Sequence, residues 1–185
     1  ITTNITPTPP PGNCPGTTAA GALQLATEGN WDHEEYIQTI LGEMHEWTTS
    51  DPRYWAIWIN DKYAEEGACT LQMHEGDRLL FLLDRATAPE YTPTVFPLES
   101  SGAPTEITQG GSATVTVNKY STAGVSSAAN GVSVKGGEAV VTTNASGQAT
   151  VKFNALGTVH LRGTKSGFAP TASVAVCVHI SGGHC

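Results

Sequence analysis

YWAIWIN, residues 54–60, is the stretch on which the reading of this chain turns. Trp55, Ile57 and Ile59 alternate with Ala56, Trp58 and Asn60, and a period of two belongs to a β-strand, whose successive side chains point to opposite faces of a sheet. Asn60-Asp61-Lys62 reads as a tight turn into Tyr63-Ala64. Beyond Gly67, Ala68 and Cys69 come Leu71-Gln72-Met73, the turn His74-Glu75-Gly76-Asp77, and a second apolar strand from Arg78 to Leu83. Trp and Tyr at strand spacing are expected mainly in an interior.

Working back toward the start, the pattern becomes helical. Thr17 or Thr18 stands as a cap, and Ala19, Ala22, Leu23 and Ala26 recur at helical spacing over 17–28. Gly21 interrupts this stretch, and Gly29-Asn30 ends it. Tyr36, Ile37, Ile40 and Leu41 predict a second short helix over 34–42, closed by Gly42. Residues 1–13, ITTNITPTPPPGN, are Thr/Pro-rich and favour an extended polyproline conformation without ladder donors.

Working forward, Pro89, Pro93, Pro97 and Pro104 mark residues 86–105 as a linker with short extended pieces. From 106 to 179 the period of two returns repeatedly: Ala113/Val115/Val117, Val132/Val134, Ala149/Val151/Phe153, Val159/Leu161 and Val174/Val176/Val178. Gly110-Gly111, Asn130-Gly131, Gly136-Gly137, Ser146-Gly147 and Lys165-Ser166-Gly167 punctuate these runs. Short alternating strands separated by turns predict an antiparallel sandwich. The fold class is therefore mainly β with a small α+β part, in four segments: 1–13 extended, 14–85 a first domain, 86–105 linker, and 106–185 the sandwich.

Charge divides the chain at the same place. Residues 1–98 carry 14 acidic and 4 basic side chains, a balance of −10, and residues 99–185 carry 3 acidic and 5 basic, a balance of +2. An acidic first half argues against a nucleic-acid partner, which needs clustered Lys and Arg. No apolar run is long enough to insert in a bilayer. No signal peptide or lipidation motif is read, as expected of a mature or trimmed secreted chain. The four cysteines, Cys14, Cys69, Cys177 and Cys185, are an even set in a Gly/Pro/Thr-rich chain, which points to pairing outside the cell. Of the three possible connectivities, locality favours Cys14–Cys69 with Cys177–Cys185. Without a Cys-x-x-Cys or paired His spacing, no metal and no other cofactor is expected.

The stretch from Ala22 to Asp84 resembles the secreted bacterial β-grasp-like domain also found at the C-terminus of the vitamin B12 carriers transcobalamin and intrinsic factor. The residues that carry the resemblance are Trp31 after the first helix, Ile40-Leu41-Gly42, the aromatic strand Tyr54–Asn60, the Gly67-Ala68-Cys69 step, and Gly76-Asp77 ahead of a hydrophobic strand. It implies a β-grasp-like first domain and, separately from locality, the bridge Cys14–Cys69. The stretch from Asn130 to His179 is similar to bacterial Ig-like and carboxypeptidase-regulatory-like modules. Thr142–Ala149, Gly157-Thr158 and Lys165–Pro170 carry that likeness and imply an Ig-like sandwich. A β-grasp-like domain of this type opens with a strand or hairpin ahead of the Thr/Pro segment, and the residues before Cys14 leave little room for one. The expectation is an incomplete sheet with an open edge. A neighbouring subunit fills it by strand addition, with Ile1, Thr2, Thr3, Asn4, Ile5 and Thr6 as the assembly segment.

No catalytic constellation is present: no Gly-x-Ser-x-Gly elbow, no His-Glu-x-x-His, no phosphate loop and no dinucleotide fingerprint. His33-Glu34-Glu35 and His45-Glu46 read as solvated polar segments, and His74–Asp77 as turn chemistry. The sequons Asn4-Ile5-Thr6 and Asn144-Ala145-Ser146 are noted as possible sugar acceptors. The expected function is that of a non-enzymatic extracellular surface or structural protein, whose partners are copies of itself or cell-surface components. One alternative is a small-ligand or glycan module using Trp47, Tyr54, Trp55 and Trp58 as stacking surfaces. Another is a pair of accessory domains of a larger secreted enzyme.

Overall fold

A computed structural model describes residues 14–32, 36–86 and 92–184. Among these the chain is mainly β, with fifteen strands and one eight-residue helix. It divides into two units, the first running to Val95 and including Thr122–Gly124, the second formed by Phe96–Ser121 and the residues from Val125 onward. The N-terminal segment 1–13, residue 33, residues 34–35 of the second expected helix, 87–91 of the expected linker, and Cys185 lie outside the described residues.

In the first unit, helix α1 spans Ala19–Ala26. Thr18 does not cap it through its side chain. Its Oγ1 donates instead to the Pro15 carbonyl at 2.7 Å. The unsatisfied amides of the first turn find tertiary acceptors: Ala19 N–H donates to the Leu71 carbonyl and Ala20 N–H to the Ala68 carbonyl, each at 2.9 Å. The bridge Cys14–Cys69, with Cα atoms 4.7 Å apart, ties the same two segments together. Gly21 has its place for a steric reason. A Cβ there would lie 2.0 Å from the Gly16 carbonyl oxygen, so only glycine lets the helix and the preceding turn approach this closely.

The second expected helix is a hairpin instead. Strands β1 (Thr39–Ile40) and β2 (Glu43–Met44) pair antiparallel with Thr39 opposite Met44. Leu41 and Gly42 both hold positive φ, 52° and 81°, as a two-residue type I′ turn requires. The Asp32 carboxylate accepts the N–H groups of Gln38 and Thr39 at 2.6 and 2.7 Å, so amides that a helix would direct along its own axis are already engaged. Of the four apolar residues that suggested a helix, Ile40 is buried while Tyr36 and Leu41 stand in solvent.

Strands β3 (Arg53–Ile59), β4 (Lys62–Tyr63) and β5 (Leu79–Arg85) form an antiparallel sheet in the order β4-β3-β5. The expected turn at Asn60-Asp61 is present, with φ of 49° and 64°. The Asn60 side chain buttresses it, donating to Asp77 Oδ1 at 2.7 Å and accepting the Arg78 N–H at 2.9 Å. The bond that Asn60 donates, with that of the His74 N–H, holds the Asp77 carboxyl below its ordinary value of 3.8. Trp55, Ile57, Leu79 and Phe81 pack toward Ala19, Ala20 and Leu23 of α1. The opposite face of the sheet carries Tyr54, Ala56, Trp58, Leu80, Leu82 and Asp84.

The second unit holds two facing sheets. Strand β6 (Phe96–Ser101) lies inside the stretch read as linker; Pro97 is tolerated because antiparallel pairing with the next long strand begins only at Leu98. The chain continues through β7 (Glu106–Thr108), β8 (Ser112–Tyr120), β9 (Ser126–Ala128), β10 (Ser133–Lys135), β11 (Val141–Thr142), β12 (Gln148–Lys152), β13 (Gly157–Thr164), β14 (Phe168–Ala169) and β15 (Val174–His179). One sheet has the order β12-β8-β6-β14, with β9 also on β8, and the other β11-β10-β13-β15-β7. Most neighbouring strands are antiparallel, as the alternation predicts, but β14 on β6 and β15 on β7 run parallel. The alternating residues named from the sequence face inward: Val115, Val117, Val132, Val134, Val151, Phe153, Leu161, Val176 and Val178 form one core.

Two outcomes follow from these contacts. Replacing both Cys14 and Cys69 with Ser, which opens a bridge across a separation of 55 residues, is expected to lower the stability of the first unit by about 4 kcal/mol on the chain-entropy estimate, and to leave the second unit's transition in urea unchanged. In an NMR titration the Asp77 carboxyl is expected to have its midpoint below 3.8. Because the folded value is depressed, its contribution to stability is present above 3.8 and is lost as pH falls through the lower folded value.

Candidate functional site

The residues proposed from the sequence as stacking surfaces do not share one face. Strand alternation sends Tyr54 and Trp58 to the side of the sheet away from α1, and Trp55 to the side toward it. Trp58 is only 1% exposed and packs edge-on against Tyr63, with ring centroids 5.6 Å apart. Its ring belongs to the interior and offers no platform to a ligand, which corrects that expectation. The Tyr54 hydroxyl is also enclosed, and burial pushes it well above the ordinary tyrosine range. Trp55 is half-buried; its indole N–H donates to the Gln38 carbonyl at 3.0 Å and its ring meets His45 edge-on at 5.9 Å. Trp47 alone of the four is exposed, at 43%.

The cysteines divide between what the structure shows and what lies beyond it. Cys14–Cys69 is formed. The pairing Cys177–Cys185 ends on a residue outside the described ones, as does the whole assembly segment Ile1–Thr6. Among the described residues no group of three or more His, Cys, Asp or Glu is placed to hold a metal ion, and no helix is long and apolar enough to cross a membrane.

The feature with chemical consequence is the outer edge of β5. The bonds from Ala86 N–H to the Pro52 carbonyl and from Asn60 N–H to the Arg78 carbonyl, both 2.9 Å, mark bonded pairs at the two ends of the β3–β5 ladder. In an antiparallel ladder bonded and non-bonded pairs alternate. Leu80, Leu82 and Asp84 therefore direct their backbone groups to β3, while Leu79, Phe81 and Leu83 direct theirs outward. Among the described residues no strand lies on that side. From Leu79 to Leu83 the edge has no proline, lysine or other charge to discourage pairing.

One end of this edge is closed off by Asp84, a carboxylate only 1% exposed. It accepts the Thr94 hydroxyl at 2.5 Å, the Thr94 N–H at 3.0 Å and the Val95 N–H at 3.2 Å. The Arg85 N–H adds a bond at 2.7 Å. The chain leaving the first unit is thus fastened back onto the end of β5. Arg85 extends outward to Asp51, 3.8 Å away, which the Arg53 guanidinium grips more tightly. The sequence shows Asp84 as the last residue of an apolar run, but nothing in its spacing reveals Thr94 and Val95 as its partners.

These features define a disulfide-stapled mainly-β protein whose first unit has an apolar strand with no described strand on its outer side. A family model described as a domain of unknown function, DUF4430, matches residues 16–85, which takes in α1, the β1–β2 hairpin and the three-stranded sheet and stops at the last residue of β5. No curated protein and no solved structure matches the chain.

Replacing the buried Asp84 with Ala removes the acceptor of the Thr94 and Val95 donors and is expected to cost about 2 kcal/mol, as for hydrogen bonds to a charged group. Urea unfolding followed by tryptophan fluorescence checks this, with Asp51→Ala, on a partly exposed ion pair, expected to shift the midpoint much less.

Proposed function

We propose that this protein is a non-catalytic extracellular structural subunit that assembles by strand addition along the outer edge of β5. In this reading the first unit is a β-grasp-like module of the kind carried by transcobalamin and intrinsic factor, and the outer side of β5 is paired by no described strand. The second is a spacer of the bacterial Ig-like or carboxypeptidase-regulatory-like kind. The observation that carries the proposal is the row of outward backbone groups at Leu79, Phe81 and Leu83, in an apolar strand with no described strand on that side. An extended segment docking there gains main-chain hydrogen bonds, and its alternate side chains continue the two faces of the sheet.

Ile1–Thr6 of a second copy has the composition for this role: Ile1, Thr3 and Ile5 alternate with Thr2, Asn4 and Thr6, and five of the six are β-branched. A donor segment and an acceptor edge on the same chain make a heterologous contact, which propagates as a filament unless rotation closes a ring. The disulfide supports an extracellular setting, where no reducing pool opens it.

Leu83→Pro is the discriminating substitution. It removes an outward N–H that β3 does not use, so the sheet is retained while the docking ladder loses a rung. Negative-stain microscopy and non-reducing size analysis are expected to show filaments or rings for the unaltered protein and only single subunits for the variant, with circular dichroism unchanged. A protein that stays monodisperse at all concentrations, or a variant that assembles as well as the parent, would sink the proposal.

A further inference from the structure

The structure assigns a binding site for an acidic polysaccharide to the outer face of the β10–β13 pair in the second unit. These strands lie side by side with Ser133 opposite Thr164, Val134 opposite Gly163 and Lys135 opposite Arg162. Val134 and Leu161 belong to the core, so alternation sends Ser133, Thr164, Lys135 and Arg162 to the other side of the sheet. Lys135 and Arg162 are exposed there. Like charges set directly opposite each other repel and weaken a sheet.

Nothing nearby neutralises them. Among the described residues no ion pair joins Lys135, Arg162 or Lys165 to an acid. The acidic side chains from residue 99 onward are Glu99, Glu106 and Glu138. Glu138 pairs with Lys152 at 3.4 Å, and Glu99 accepts from the Tyr120 hydroxyl. Glu106 stands on β7, two strands beyond β13 and opposite Cys177, itself opposite Thr158. By sheet spacings that is about 16 Å from Arg162, beyond the screening length of about 8 Å at physiological salt.

Beside this pair the face opens into a cleft of about 510 Å³, where the chain turns from β13 to β14. Ser133, Thr164 and Ser166 line it with hydroxyls, Phe168 supplies an apolar wall, and Lys165 adds a third cation. Lys165 is held in place: its Nζ donates to the Asn130 carbonyl at 2.5 Å and lies 5.4 Å from the centre of the Phe168 ring. An ammonium has three donors, so two remain for a ligand. Hydroxyls, one aromatic wall and cations without acids complement a polyhydroxylated chain that carries carboxylates. The cleft hydroxyls exchange hydrogen bonds with those of the sugar, and the Arg162 guanidinium takes a carboxylate through two parallel N–H donors. An acidic peptide fits less well. β10 lies between β11 and β13, and β13 between β10 and β15, so no backbone edge is free here for a peptide to pair with.

Isothermal titration of the full chain with a hexamer of galacturonic acid tests the assignment. Binding is expected, weakening as salt is raised. Maltohexaose, which lacks the charge, and hexaglutamate, which lacks the sugar, are each expected to bind at least about tenfold more weakly. Lys135→Gln combined with Arg162→Gln is expected to weaken binding of the hexamer at least about tenfold, with a urea midpoint unchanged or higher because the repelling pair is gone. Thr164→Val is expected to weaken it about threefold. Lys119→Gln, on an exposed lysine of β8 in the other sheet, is expected to bind as the parent does. The site is independent of assembly at β5, so Leu83→Pro is also expected to bind as the parent does, and failure of one reading is told apart from failure of the other. No binding at millimolar hexamer, equal affinity for hexaglutamate, or a loss with Lys119→Gln as large as with the double variant would overturn the assignment.

Discussion

The antiparallel pairing of β3 with β5 is the constraint from which the rest of the first unit follows. Its register sets Tyr54 opposite Asp84 and Ile59 opposite Leu79, and that one choice decides three things. It places Trp55 and Ile57 against the helix and Trp58 on the far face. It turns the backbone of Leu79, Phe81 and Leu83 away from the sheet. It also brings Asp84 to the end of β5, where its carboxylate meets Thr94 and Val95. A slip of one residue would exchange the two faces and leave a carboxylate among the groups packed on α1.

Two further attachments make this small sheet a defined unit. The disulfide joins the segment before α1 to the segment whose Ala68 and Leu71 carbonyls receive the helix's first amides, so the covalent link and the hydrogen bonds act on the same pair of segments. The Asp84 clasp does for the end of the unit what the disulfide does for its start. A helix of eight residues and a sheet of three strands bury little apolar area, and such attachments are what a small core requires. In the second unit two sheets of alternating residues enclose a larger apolar core.

The same contrast governs how much was legible beforehand. The sandwich could be read strand by strand, since in a half-buried strand each inward residue announces itself by its alternation. Strand β6 reads as an extended piece of a linker because Pro97 falls in a row with Pro89, Pro93 and Pro104, and its pairing with β8 makes it a strand of the sheet. The hairpin at residues 39–44 was read as a helix because Tyr36, Ile37, Ile40 and Leu41 fit that spacing equally well, and the carboxylate of Asp32 that settles the matter acts from outside the periodic stretch. Gly21 looked like a weakness in the helix and is instead its point of closest contact with Gly16.

For the candidate site the division is sharper. The sequence by itself determined that the chain is mainly β, that its cysteines favour a bridge between Cys14 and Cys69, and that an apolar strand ends at Asp84, because composition and period two are properties of neighbouring residues. It could not determine that β5 lies at an edge, that Trp58 is enclosed while Trp47 is not, or that β7 runs parallel to β15. Each of those depends on which strands become neighbours, and strand pairing joins residues far apart in the chain through backbone groups that are the same at every position.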